Sequence, residues 1–106
     1  MKIPLQAILS QLRREFARIF GDRMEAMYVY GSQARGEALP DSDIDVLVVI
    51  RGEFNYFDFL HRTDEITARI ALENDIVISR VLVSREKLEN SHLPFYINVR
   101  REAVAI

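Results

Sequence analysis

The sequence predicts an α/β domain in which helices pack on a short sheet. Three observations carry that prediction. The opening stretch places apolar residues at helical spacing, two later runs are apolar and β-branched like buried strands, and helical patterns separate and follow them. The length of 106 residues suits one compact domain, 1–106, and a hydrophobic content of 49% is enough for a core. A chain this short buries a modest share of its surface, which leaves room for a partner over one apolar face.

Leu5, Ile8, Leu9, Leu12, Phe16, Ile19 and Phe20 recur at helical spacing, with charges on the opposite side. Pro4 suits the first turn and Gly21 the C-terminal cap. Met24–Tyr30 reads as a strand. Gly31 and Ser32 follow it directly, and "SQARGEA" can form a short helix. Ile44–Ile50 reads as an antiparallel return strand covered on both faces. The loop "RGEFNYFDF" leads into one helix from about Phe57 to Glu73, with Leu60, Ile66, Ile70 and Ala71 facing inward. Ile76–Val83 is a third strand. Ser84 caps a short helix through about Leu88, and Pro94 opens a last helix over "PFYINVRREA". The order is α-β-turn-β-α-β-α-α, without repeats, low-complexity tracts or linkers.

Composition excludes several classes of function. Fourteen basic and sixteen acidic residues give a net charge of −2, which disfavours nucleic acid as a direct ligand. With no cysteine there is no disulfide, thiolate metal site or thiol nucleophile, and a reducing interior is favoured. The start "MKIPLQAILSQLRREF" lacks the pattern of a secretory signal, and the apolar run Val46–Ile50 is far too short to span a bilayer. A soluble, cytoplasmic protein is expected.

The chemistry concentrates between Tyr28 and Ile50. Gly31 permits close approach of backbone to a ligand, Ser32 offers a hydroxyl donor, and free N–H groups at a helix start favour phosphate. Arg35 can pair with a phosphate or brace the acidic loop. Gly31 and Gly36 have the GxxxxG spacing of a P-loop, yet Glu37 and Ala38 follow where that loop needs Lys and Ser or Thr. Taken alone, the Gly-Ser pair is an ordinary tight turn.

"DSDIDVLVV" adds a second element. Side chains two apart on a strand share a face, so Asp43 and Asp45 project together. Like charges held side by side repel, and a divalent ion removes the conflict. Carboxylates suit Mg²⁺, which takes one or two of them together with substrate phosphates. The bland alternative is a solvated acidic turn with Asp41 and Ser42 as helpers. The Gly-Ser turn about a dozen residues earlier favours the metal.

Taken together, "GSQARGEALPDSDIDVLVVI" resembles the Gly-Ser-x-Ala-Arg-Gly, gap, Ser-Asp-x-Asp and apolar-strand pattern of the minimal nucleotidyltransferases in the DNA polymerase beta superfamily. The resemblance implies a polymerase beta-like α/β core, a short mixed sheet with helices packed on it. It implies that Gly31 and Ser32 hold a triphosphate, with Arg35 beside them, and that Asp43 and Asp45 bind Mg²⁺. The implied reaction moves AMP from ATP to an acceptor hydroxyl and releases pyrophosphate. Minimal members are often paired with a helical HEPN-class protein, an RNase-like toxin in many pairs, which the nucleotidyltransferase AMPylates as its antitoxin. A second copy of the chain is a further candidate partner.

Members that catalyse usually carry a third carboxylate on the next core strand. Here "ENDIVISRVLVS" offers Asp75, which either completes the metal and catalytic set or is an ordinary strand-edge residue; Glu73 is a weaker substitute. Without that group the domain binds nucleotide but turns over poorly, and acts on its partner by contact alone. His61 and His92 have no neighbours at ligand spacing and read as surface residues. Phe54, Tyr56, Phe57 and Phe59 read first as packing residues, with adenine stacking or partner docking as a second role for Tyr56 or Phe54. Arg100 and Arg101 face solvent or an acidic partner.

Overall fold

A computed structural model describes residues 4–36 and 43–106. Helix α1, Leu5–Phe20, buries Ile8, Leu9, Leu12, Phe16 and Phe20 along one stripe. A short 3₁₀ turn over Gly21–Arg23 passes the chain into β1, Met24–Tyr30. After the one-turn helix α2, Ser32–Arg35, strand β2 covers Ile44–Ile50. Helices α3, Tyr56–His61, and α4, Asp64–Glu73, precede β3, Ile78–Ser84. The chain then forms α5, Arg85–Asn90, α6, Pro94–Glu102, and a two-residue strand β4, Val104–Ala105.

The sheet order is β3-β2-β1-β4. β1 is antiparallel to β2 and β4, while β2 and β3 run parallel, so the sheet is mixed. Strand β2 is the spine, and its residues from Val46 to Ile50 are almost completely buried. Alternation splits that spine into two cores. Ile44, Val46, Val48 and Ile50 join Ile8, Leu12, Phe16 and Ile70 on the face under α1 and α4. Leu47 and Val49 join Val83, Leu88 and Val99 on the face under α5 and α6. A fully buried aliphatic side chain contributes about 1.5–3 kcal/mol, so this doubly covered strand dominates the stability.

Three expectations shift. The helix expected over Phe57–Glu73 is broken between α3 and α4. Thr63 is fully buried there, its hydroxyl donates to the Leu60 carbonyl at 2.7 Å, and it accepts from Arg80 Nε at 2.6 Å. A side chain that takes over a carbonyl competes with the helical ladder. The third strand begins at Ile78 rather than Ile76, because α4 uses the intervening residues as its cap. Asp75 takes a left-handed φ of 51°, its N–H bonds the Leu72 carbonyl, and the Ile76 N–H bonds the Ala71 carbonyl. That is the Schellman arrangement, with Asp75 where glycine is usual. Finally, Val104 and Ala105 pair with Val29 and Tyr28 as an added edge strand. Among the described residues, no helix is long and apolar enough to cross a membrane.

Candidate functional site

The antiparallel pairing of β1 and β2 sets Tyr30 opposite Asp45 at one end of the sheet. Strand alternation sends Asp45 to the face of Leu47 and Val49, and Asp43, two residues earlier, has the same parity. Asp43 is exposed and Asp45 half-buried. Burial pushes the Asp45 carboxyl above the usual carboxylate range, and the charge of Asp43 pushes it further in the same direction. The helpers Asp41 and Ser42 lie outside the described residues.

The Gly31 turn lies directly against this pair. Gly31 has φ 73° and ψ −152°, a conformation that residues with a Cβ rarely adopt. A Cβ built on it would stand 2.7 Å from Asp45 Oδ2, closer than real contacts allow. Glycine is therefore required twice, for conformation and for space. The Gly31 carbonyl accepts from the Arg35 N–H at 3.1 Å, closing the single turn of α2, and Gly36 ends it in the left-handed region. Arg35 Nη1 donates to Glu102 Oε2 at 3.0 Å and so fastens α2 to the end of α6. Gln33 Nε2 makes a long hydrogen bond, 3.5 Å, to the Asp43 carbonyl. Turn, Ser32 and both aspartates thus occupy one small region.

Asp75 is placed differently. It sits in the cap of α4, three residues before β3, and among the described residues no group of three or more His, Cys, Asp or Glu gathers as a metal site. The residue paired with Asp45 across the parallel strands is Ser79, which is exposed. Paired residues share a face, so a neutral hydroxyl stands beside Asp45 on β3. Two carboxylates with no cation between them are electrostatically strained, and their donor set is all oxygen. This fits a hard divalent ion that completes its shell with water and phosphate oxygens.

Tyr30 and Tyr96 carry no site motif in the sequence, and the fold brings them to the site. The Tyr30 phenol is pushed up to about 12 by burial, by the Asp45 charge and by Tyr56, so it stays neutral beside the aspartate. Burial and Tyr56 also raise Tyr96. The alternation of Tyr28 and Tyr30 signals a shared face, but only the register identifies Asp45 as the neighbour. His61 is exposed and lies 2.7 Å from Asp64, away from any carboxylate pair of the site. Arg100 is exposed and also donates to the Leu88 and Ser91 carbonyls at 2.7 and 2.8 Å, which ties α6 to the end of α5.

The nucleotidyltransferase domain family matches residues 9–104. The protein adenylyltransferase MntA of Thermococcus cleftensis is 32% identical over 80 residues, 76% of this chain and 79% of that protein. A solved structure described as a minimal nucleotidyltransferase superposes with a TM-score of 0.61 at 25% identity, covering 96% of this chain and 92% of its own. A toxin–antitoxin structure with AMP-PNP superposes with a TM-score of 0.60 at 17% identity, over 89% of this chain and 68% of that one, a likeness of fold alone. The family match and the adenylyltransferase relative define an enzyme of nucleotidyl transfer, and the chain belongs to the nucleotidyltransferase domain family, in its minimal branch.

Proposed function

We propose that this protein moves AMP from ATP onto a hydroxyl of a partner protein in a reaction that depends on Mg²⁺. The observation that carries the reading is the Gly31 backbone lying against the Asp45 carboxylate. It brings a main chain able to approach phosphate together with carboxylates able to hold a cation. Adenylyl as the group transferred, and a protein as acceptor, are supported by the name of the MntA relative. A helical HEPN-class toxin is the proposed acceptor, supported by the fold likeness to a toxin–antitoxin structure that contains AMP-PNP.

In this reading Asp43 and Asp45 would hold the cation, which when bound would supply neutralisation of phosphate charge. Gly31 and Ser32 hold the triphosphate through main-chain N–H and hydroxyl donors, and Arg35 steadies α2 through Glu102. The acceptor oxygen forms a bond to the α-phosphorus. The bond from that phosphorus to the β-bridging oxygen breaks, pyrophosphate leaves with the electron pair, and the hydroxyl proton passes to solvent. Tyr30 stays protonated beside Asp45 and so adds no charge there.

The test is transfer of label from α-³²P-ATP, with Mg²⁺, to a purified HEPN-class protein. Label that disappears in Asp43→Asn, with the fold retained, is the expected result. Equal labelling by the variant contradicts it. Ser79, neutral where it meets Asp45, favours a second reading: turnover is slow and the partner is restrained mainly by contact. On that reading Asp43→Asn leaves both binding and inhibition of the partner intact.

A further inference from the structure

We propose that the cavity between the loop after β2, the edge strand β3 and the starts of α5 and α6 is a nucleobase site, with Tyr56 and Tyr96 as its stacking surfaces. This rests on the nucleotidyl-transfer reading and deepens it by assigning the uncharged end of the nucleotide. The cavity has a volume of about 680 Å³ and is lined by Phe54, Tyr56, Val81 and Tyr96, with Glu53 and Glu86 among its polar residues. That volume lies within the range of sites for small organic ligands, roughly 300–1,000 Å³.

Position relative to the carboxylates supports the assignment. Val81 lies two residues beyond Ser79, the partner of Asp45, and pairs with Leu47 on the same face. At about 3.3 Å per residue, the cavity wall starts roughly 7 Å from the Asp45–Ser79 pair. A ribose bridging phosphate and base spans a gap of that size. Tyr30 flanks Asp45 on the side away from β3: it pairs with Asp45, and its ring packs edge-on against Phe95 at 5.6 Å, the residue before Tyr96.

Charge fixes the orientation. Two glutamates, Glu53 and Glu86, line the cavity against one lysine, Lys87, so a triphosphate is disfavoured there. The phosphates are left to the Gly31 turn and the cation, and the cavity receives a flat, uncharged group. Carboxylates accept hydrogen bonds from an exocyclic amine, which favours an amino-bearing purine such as adenine. Tyr56 is 37% exposed, which leaves part of its side chain open to a stacking partner.

Calorimetric titration of the intact protein with ATP and with tripolyphosphate, both with Mn²⁺, separates the two ends of the ligand. Base stacking predicts that Tyr56→Ala and Tyr96→Ala each weaken ATP about tenfold or more. Tripolyphosphate binding stays unchanged, which also reports that the variants fold, and Tyr96→Phe restores ATP affinity. Unchanged ATP affinity in both alanine variants overturns the assignment. So does a parallel loss of ATP and tripolyphosphate, or loss of AMP transfer with ATP affinity intact, which would give the cavity to the acceptor. Tyrosine-dependent ATP binding without any transfer supports the base site and removes the transfer reading instead.

Discussion

The two faces of β2 are built from one run of seven residues and serve opposite ends. On the face under α1, Ile44, Val46, Val48 and Ile50 are all sealed. On the other, Leu47 and Val49 are sealed under α5 and α6, while Asp45 stands half-open where that cover stops. The difference teaches where chemistry fits in a small domain. A rigid strand is anchored by apolar burial along most of its length, and the carboxylates sit at the end that the short helices leave uncovered.

Phe16→Ala attacks the sealed face and should have the largest effect. It removes a fully buried ring and costs about 3–5 kcal/mol in denaturant unfolding. Nucleotide affinity of the fraction that remains folded should be unchanged; a selective loss of affinity would break the comparison. Gly31→Ala strikes the open end. The left-handed φ and the collision with Asp45 together cost about 1–3 kcal/mol, and ATP binding is lost even at temperatures where the variant is folded. Retained binding would separate the turn from the site.

Ser79→Asp sharpens the same comparison with a smaller effect. Without cation it sets a like charge opposite Asp45 and destabilises by about 0.2–1 kcal/mol. With Mn²⁺ the sign reverses, so the thermal shift on adding the ion should exceed that of the unmodified protein. An unaltered shift would mean that Ser79 does not face the cation. The smallest effect concerns Tyr30. Its phenol holds the proton more tightly in the folded state than at the ordinary value of 10.0, so unfolding releases a proton above that pH. Stability from this group is complete below pH 10.0 and is lost as pH rises toward about 12. Absorbance titration should find one phenol ionising near that upper value, and Asp45→Asn should bring it down.

Much of this architecture was legible in the sequence. The stripe from Leu5 to Phe20 and the run from Ile44 to Ile50 give helix and buried strand by periodicity alone, and Ser84 and Pro94 mark the starts of α5 and α6. The break at Thr63 was not legible, because it depends on Arg80 arriving from a strand seventeen positions later. Nor was β4, whose two residues are strand only by pairing with β1. In the site, the spacing of Asp43 and Asp45 placed them on one face. Asp75 lay beyond such reasoning, since local sequence cannot tell a strand start from a helix cap. The register that puts Ser79 beside Asp45 is a tertiary fact.

The most direct measurement is a crystal structure with Mn²⁺ and a non-hydrolysable ATP analogue, with the ion located by anomalous scattering. The expected result is a peak coordinated by Asp43 and Asp45, with the triphosphate on Gly31 and Ser32. An ion bound elsewhere, or phosphates bound away from that turn, would contradict it.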